Sequence, residues 1–330
     1  MNLFKIKILQ NIKLITALAF LFIISTAQAA GCPPWMPEEE CDLCGCTTSG
    51  GNFGYGTLGN TNFVGVRYIY QQFESRDGIF DNSPMSEENF NTYQLWTKIP
   101  VFKNTYVTAT IPYQDLYRKF EDRTEHINGL GDISVLGWYK IKFNKKQESN
   151  DRALDFMSEP EFTGHSIEIG AGLKLPTGEF EEVLADAVNP GFQVGTGSTD
   201  VLLSLAYSYS KDRFGANATT SYYVKGTNDN EYRFGNQFSY NANVFYGFPI
   251  NMTMLTPFVG VSGDFYDQIE QYGDKIPDTD GYSFVGTLGA EYSFKRFVVG
   301  ANYGLPIKQE LFGGDVEQKN RLLLYFNYTL

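Results

Sequence analysis

The stretch Ser166-Ile167-Glu168-Ile169-Gly170-Ala171-Gly172-Leu173-Lys174-Leu175 decides the fold class. Successive side chains of an extended chain point to opposite faces. Ile167, Ile169, Ala171, Leu173 and Leu175 therefore make one apolar face, and Ser166, Glu168, Gly170, Gly172 and Lys174 make the other. A charged face backing onto an apolar one suits a soluble sheet or the wall of a membrane barrel. The surrounding chain separates the two.

Working outward, the same alternation returns in twelve segments, near residues 62–74, 90–102, 104–116, 131–143, 164–175, 199–210, 214–225, 234–248, 253–266, 282–294, 296–307 and 320–330. Ile133, Val135, Gly137, Tyr139, Ile141 and Phe143 oppose Asp132, Ser134, Leu136, Trp138, Lys140 and Lys142. The connections sort by parity. Those after the second, sixth, eighth and tenth segments are short, and those after odd-numbered segments are long. Residues 144–163 break the rule, forming a long connection where a short one is expected.

A soluble sandwich has no reason to sort its loops, whereas outer-membrane barrels place short turns on the periplasmic side and long loops outside. The expected fold is all-β: a transmembrane antiparallel up-and-down β-barrel of about twelve strands, with both mature termini periplasmic. A sheet in hydrocarbon must close on itself, which predicts pairing of the first and last strands near Val64 and Phe326. Leu322, Leu324, Phe326, Tyr328 and Leu330 alternate to the last residue. This resembles the terminal strand read by barrel-assembly machinery, with Leu in place of the usual Phe. That machinery and outer-membrane lipid are the expected partners. Tyr68, Tyr70, Tyr113, Tyr139, Tyr207, Tyr209 and Tyr246 suit interfacial girdles.

At 16% aromatic and 19% charged residues, with a formal net charge of -12, the chain is too rich in Tyr and Phe to be disordered and too acidic for a nucleic-acid partner. Its longest apolar run, Leu14 to Ile24, falls well short of the roughly 20 residues of a spanning helix. Lys5, Lys7 and Lys13 precede that run and Ala27-Gln28-Ala29 follows it, the pattern of an export signal. The expected organisation is a signal peptide over 1–29, a Cys-rich periplasmic segment over 30–61, and a barrel over 62–330 in the outer membrane of a Gram-negative bacterium. A rival reading takes Ala29-Ala30-Gly31-Cys32 as a lipoprotein-type site that acylates Cys32.

The polar faces carry Arg67, Lys98, Lys140, Lys142, Glu168, Lys174, Asp264 and Glu291, the candidate lumen-lining residues. They either pair into a network that fills the bore or line a narrow polar path. Two expected external loops are acidic: 176–198 holds Glu179, Glu181, Glu182 and Asp186, and 267–281 holds five carboxylates against Lys275.

All four cysteines precede the first segment. Cys41-Asp42-Leu43-Cys44-Gly45-Cys46 sets three thiols close enough to face one soft metal ion, copper or zinc, with Cys32 as a fourth ligand. An oxidising periplasm equally favours disulfides, in any of three pairings. No other cofactor is expected. The only histidines are His126, in an expected external loop, and His165, beside Ser166. An outer-membrane phospholipase needs a converging Ser-His pair, but adjacent strand residues face opposite ways, so no catalytic residue is assigned.

Gly129-Leu130-Gly131-Asp132 opens one segment, Gly170 through Leu175-Pro176-Thr177-Gly178 ends another, and Gly195-Thr196-Gly197-Ser198-Thr199-Asp200 opens the next. These motifs, continued through Tyr232-Arg233-Phe234-Gly235-Asn236-Gln237, resemble a family of bacterial outer-membrane transporters named for a phenol-degradation (MetA) pathway. The resemblance spans roughly residues 129–300. It implies a barrel related in role to channels for hydrophobic compounds and leaves the substrate open. The expected function is passive passage of small solutes, hydrophobic or aromatic ones among them. The alternatives are a phospholipase-like enzyme and a non-conducting surface scaffold.

For the cysteines, the expectation is checked by thiol counting on the native protein alongside metal titration of the reduced N-terminal peptide. Two intact disulfides with no bound metal would end the metal reading.

Overall fold

The computed structural model describes Leu58 and residues 61–76, 85–143, 164–184 and 187–330. The expected signal peptide, Cys32, Cys41, Cys44 and Cys46, and the connection 144–163 lie outside the described residues.

Twelve strands form the barrel. They are β1 (Phe63–Arg76), β2 (Met85–Phe102), β3 (Thr105–Lys119), β4 (Thr124–Leu130 resumed as Ile133–Lys142), β5 (Gly164–Leu175) and β6 (Asp200–Lys211). The chain continues through β7 (Phe214–Val224), β8 (Gln237–Tyr246 resumed as Phe248–Ile250), β9 (Thr253–Tyr266), β10 (Gly281–Phe294), β11 (Phe297–Leu311) and β12 (Val316–Thr329). Each strand pairs antiparallel with its neighbours in sequence, and β12 pairs back onto β1 with Val66 opposite Phe326 and Val64 opposite Tyr328. The seam falls where the requirement for closure puts it.

Burial is inverted relative to a soluble protein. Ile169, Leu205 and Leu288 are 52%, 51% and 64% exposed on the outer wall, while their neighbours Glu168, Ser204 and Thr287 are buried inside. A continuous apolar exterior of this kind is stable only against another apolar phase, which for a closed barrel is the bilayer.

At one end, two-residue turns join β2 to β3, β6 to β7, β8 to β9 and β10 to β11. In each turn one residue is left-handed: Asn104, Asp212, Asn251 and Lys295, with φ of 61°, 54°, 53° and 52°. Tight hairpins favour such turns because their twist matches that of the flanking strands. Asn and Asp tolerate the conformation, whereas Lys295 adopts it because the turn demands it. The connections 176–199, 225–236 and 267–280 lie at the opposite end.

The ladder outruns the segments read from sequence. β2 begins at Met85, β11 extends to Leu311 and β12 begins at Val316. His126 lies within β4, not in a loop: it pairs with Tyr117, its ring stacks on Tyr117 at 4.0 Å, and its Nε2 is 2.7 Å from Asp115 Oδ1. The reason is that outward positions near this end are polar, as at Glu87, Asn89, Asp115 and Lys119. The apolar alternation fades there while backbone pairing continues.

A cation at mid-height on the outer wall should be costly. We predict that Leu205→Arg lowers stability by about 2–4 kcal/mol, read from urea unfolding of the protein refolded into lipid vesicles.

Candidate channel lumen

Inward positions carry most of the charged residues marked by the sequence. On β5, Glu168 accepts hydrogen bonds from Tyr106 and from Lys140 at 3.0 Å, with Lys98 at 3.9 Å. Lys98 also sits 4.2 Å over the Tyr106 ring. Tyr106 stacks on Trp138, and Trp138 lies flat over Gly170, where an added Cβ would come within 2.8 Å of the indole. The inward glycine of β5 is therefore what lets this aromatic pair lie against the wall. Arg67 bonds Gln94 and lies 4.6 Å over Trp96. Asp264 accepts from Ser239 and Gln237 at 2.5 and 3.0 Å, with Arg321 at 3.9 Å. Glu291 accepts from the Tyr325 hydroxyl and from the Leu58 backbone N–H, which brings the chain ahead of β1 against the inner wall. Lys142 differs: at the last residue of its strand it is exposed.

The three glycine motifs converge on Asp132. Its Oδ1 accepts from the Gly178 N–H at 3.1 Å. Its Oδ2 accepts from the Thr196 N–H at 3.1 Å, the Thr196 hydroxyl at 2.7 Å and Lys174 Nζ at 2.7 Å. Thr177 donates to the Gly131 carbonyl and accepts from the Ile133 N–H. Lys174 reaches on to Asp200 at 3.1 Å, which also pairs with Lys225 at 3.2 Å and accepts from Ser198 and the Gly226 N–H. Gly178 and Gly195 meet backbone to backbone, since a Cβ on Gly195 would lie 2.4 Å from the Gly178 carbonyl carbon. Buried charges survive only when paired and hydrogen-bonded, and this cluster meets that condition.

The cluster fastens the connection 176–199 inward. Phe192, Gln193, Val194, Thr196 and Ser198 are buried while Glu179, Glu181 and Glu182 face outward, so only part of this acidic connection is the solvated loop expected from sequence. Phe192 and Val194 join wall residues Phe73, Phe90, Leu116 and Ile127, together with Tyr232, Phe234, Ile269 and Phe312 from other connections at this end, in one apolar cluster. Arg118 lies beneath it, 2.9 Å from Glu88 and 4.3 Å over the Phe192 ring. Among the described residues, the connections 176–199, 225–236, 267–280 and 312–315 thus gather over one mouth of the barrel around an aromatic plug.

Sequence reading missed Glu88, Arg118, Asp200 and Lys225. The first two lie on strand extensions whose outer faces are polar. Asp200 closes a glycine motif and could have been paired with Lys174 on that ground. Ser166 is buried inside, whereas His165 points outward with its Nδ1 2.6 Å from the Tyr207 hydroxyl, so the two do not converge. Among the described residues, no group of three or more His, Cys, Asp or Glu side chains is arranged to hold a metal ion.

An apolar outer wall, a closed antiparallel sheet and a polar interior define a transmembrane β-barrel of outer-membrane type. The chain belongs to the family described as "Putative MetA-pathway of phenol degradation", which matches residues 85–311. Among solved structures it is similar to an outer membrane channel from Pseudomonas putida F1, at 14% identity and a TM-score of 0.59, covering 84% of this chain and 98% of that one. It also matches the β domain of the Bordetella autotransporter BrkA, at 7% identity and a TM-score of 0.45, covering 82% of this chain and 100% of that one. A search among curated proteins returns no significant match.

Removing Asp132 would leave Lys174 short of one carboxylate and release two backbone N–H groups. We predict that Asp132→Ala costs about 3 kcal/mol and exposes residues 179–195 to protease, both measured on the refolded protein by urea titration and limited proteolysis.

Proposed function

We propose that this protein is an outer-membrane channel through which small solutes, including hydrophobic and aromatic ones, pass without energy input. The observation that carries the reading is the combination of a polar, charge-paired interior with a mouth narrowed by an aromatic plug. A bilayer-spanning scaffold with no transport role would have no need of buried ion pairs, which apolar packing of the same volume usually matches or betters in stability. The aromatic plug offers apolar solutes a first contact, and the networks below it keep the bore too narrow for a general sieve. On this reading the tight turns and the termini face the periplasm, the gathered loops face outward, and export by the N-terminal signal precedes assembly. Membership of the phenol-degradation family supports an aromatic class of solute. The outward orientation of His165 argues against the phospholipase alternative.

The test is uptake of aromatic compounds, fatty acids and metal ions by a deletion strain and its complemented counterpart. Slower uptake of an aromatic compound in the deletion strain, restored by the gene, is expected. Equal uptake of every solute would remove the transport reading. In planar bilayers, replacing residues 179–195 with a short Gly-Ser linker should raise conductance by about tenfold or more, as expected when a plug leaves a preformed bore.

A further inference from the structure

The interior has two chemically distinct sides. Around β4, β5 and β6 it is held by the ion pairs Lys140–Glu168, Lys174–Asp132 and Lys174–Asp200. The arc from β8 through β12 to β2 is different. Every neutral side chain with a buried, unpartnered polar atom among the described residues lies there, including Gln71 Oε1, Thr92 Oγ1, Gln94 Nε2, Ser262 Oγ, Thr287 Oγ1 and the whole amide of Asn327. These six side chains are all more than nine-tenths buried. Strand register sets Thr287, Gly304, Arg321 and Gln71 side by side on β10, β11, β12 and β1, so a glycine without a side chain sits between the polar groups. The inward charges of this arc all have partners: Arg67 with Gln94, Glu88 with Arg118, Lys98 with Glu168, Arg321 with Asp264, and Glu291 with Tyr325 and Leu58.

Buried polar groups are ordinarily paired, and a set of unpaired ones on one side of the interior is stabilised by whatever supplies partners. The outer face of the same arc carries a groove of about 900 Å³, where Ala290 and Ala301 lie side by side between Tyr292, Phe326, Tyr68 and Tyr93. The wall is hollowed there on its bilayer side, behind the unpartnered groups.

We propose that the solute path follows this arc and selects uncharged solutes bearing hydroxyl or amide groups over ions. The inference rests on the channel reading above and names the solute class that the lining fits. Neutral donors and acceptors replace the water lost by an alcohol or amide, whereas an ion would find no free counter-charge in exchange for its hydration.

Swelling of proteoliposomes containing the mature protein tests this, with erythritol as the neutral probe and sodium gluconate as the charged one. Erythritol should enter the wild type at least about tenfold faster than gluconate. Thr287→Val should slow erythritol by about fivefold, the factor corresponding to one lost hydrogen bond. Ser262→Ala should slow it similarly and provides a second reading should Thr287→Val fold poorly, with folding checked by heat-modifiable migration. Ser204→Ala makes the same chemical change on the opposite side, where Ser204 is already bonded to Ser221 at 2.8 Å, and should leave the rate unchanged. Wild-type flux of erythritol that is unaffected by Thr287→Val and Ser262→Ala, or gluconate entry as fast as erythritol, would overturn the path while leaving the channel intact. Absence of flux for every solute would overturn both.

Discussion

Inside hydrocarbon, a backbone N–H or C=O without a partner has no water to fall back on, and everything else in this structure follows from that constraint. It forces the sheet to close, and closure forces β1 against β12 although Gln72 and Asn320, which bond across the seam, are 248 residues apart. Once the ring is closed, the pleat assigns alternate residues to lipid and to lumen, and the usual rule of burial is reversed. Apolar side chains go outward because the outer phase is apolar, and the polar remainder must be satisfied within a confined bore.

That confinement explains why so many interior side chains are charged and why they come in sets. An isolated Glu168 or Lys174 would be too costly to bury, but Glu168 shared by Tyr106, Lys140 and Lys98, or Lys174 held between Asp132 and Asp200, is stable and directional. Directionality matters at the looped mouth. The Asp132 set fixes where the connection 176–199 turns inward, and the connection then delivers Phe192 and Val194 to the apolar cluster. Polar latch and apolar plug are thus successive parts of one device, with the first positioning the second.

How legible this was in the sequence differed between wall and loops. Wall alternation was plain wherever lipid contact demands an apolar face, as at Ile167–Leu175, and it gave strand number, inward face and seam. It failed at Glu88, Arg118 and His126, where strands rise beyond the apolar belt and outward residues such as Asn89 and Asp115 erase the contrast. The fate of the long connections was hidden for another reason. Their acidic residues read as solvated loop, and Glu181 and Glu182 are exposed, but the inward turn depends on contacts between Asp132 and residues 46 and 64 positions away. The glycine motifs marked the place without revealing the partner. Pairing among the charges was legible only as a choice between network and path, because period-two alternation gives the face of a residue and not its height relative to residues on distant strands.

The contact between Gly178 and Gly195 carries a consequence for descent. Because each leaves no room for a methyl group on the other, the advantage of keeping one glycine vanishes once its counterpart is replaced, and inheritance should treat the two as a single character. The stretch between them is held more loosely, Glu182 being tied to Gln193 by side-chain hydrogen bonds alone, with no comparable steric lock.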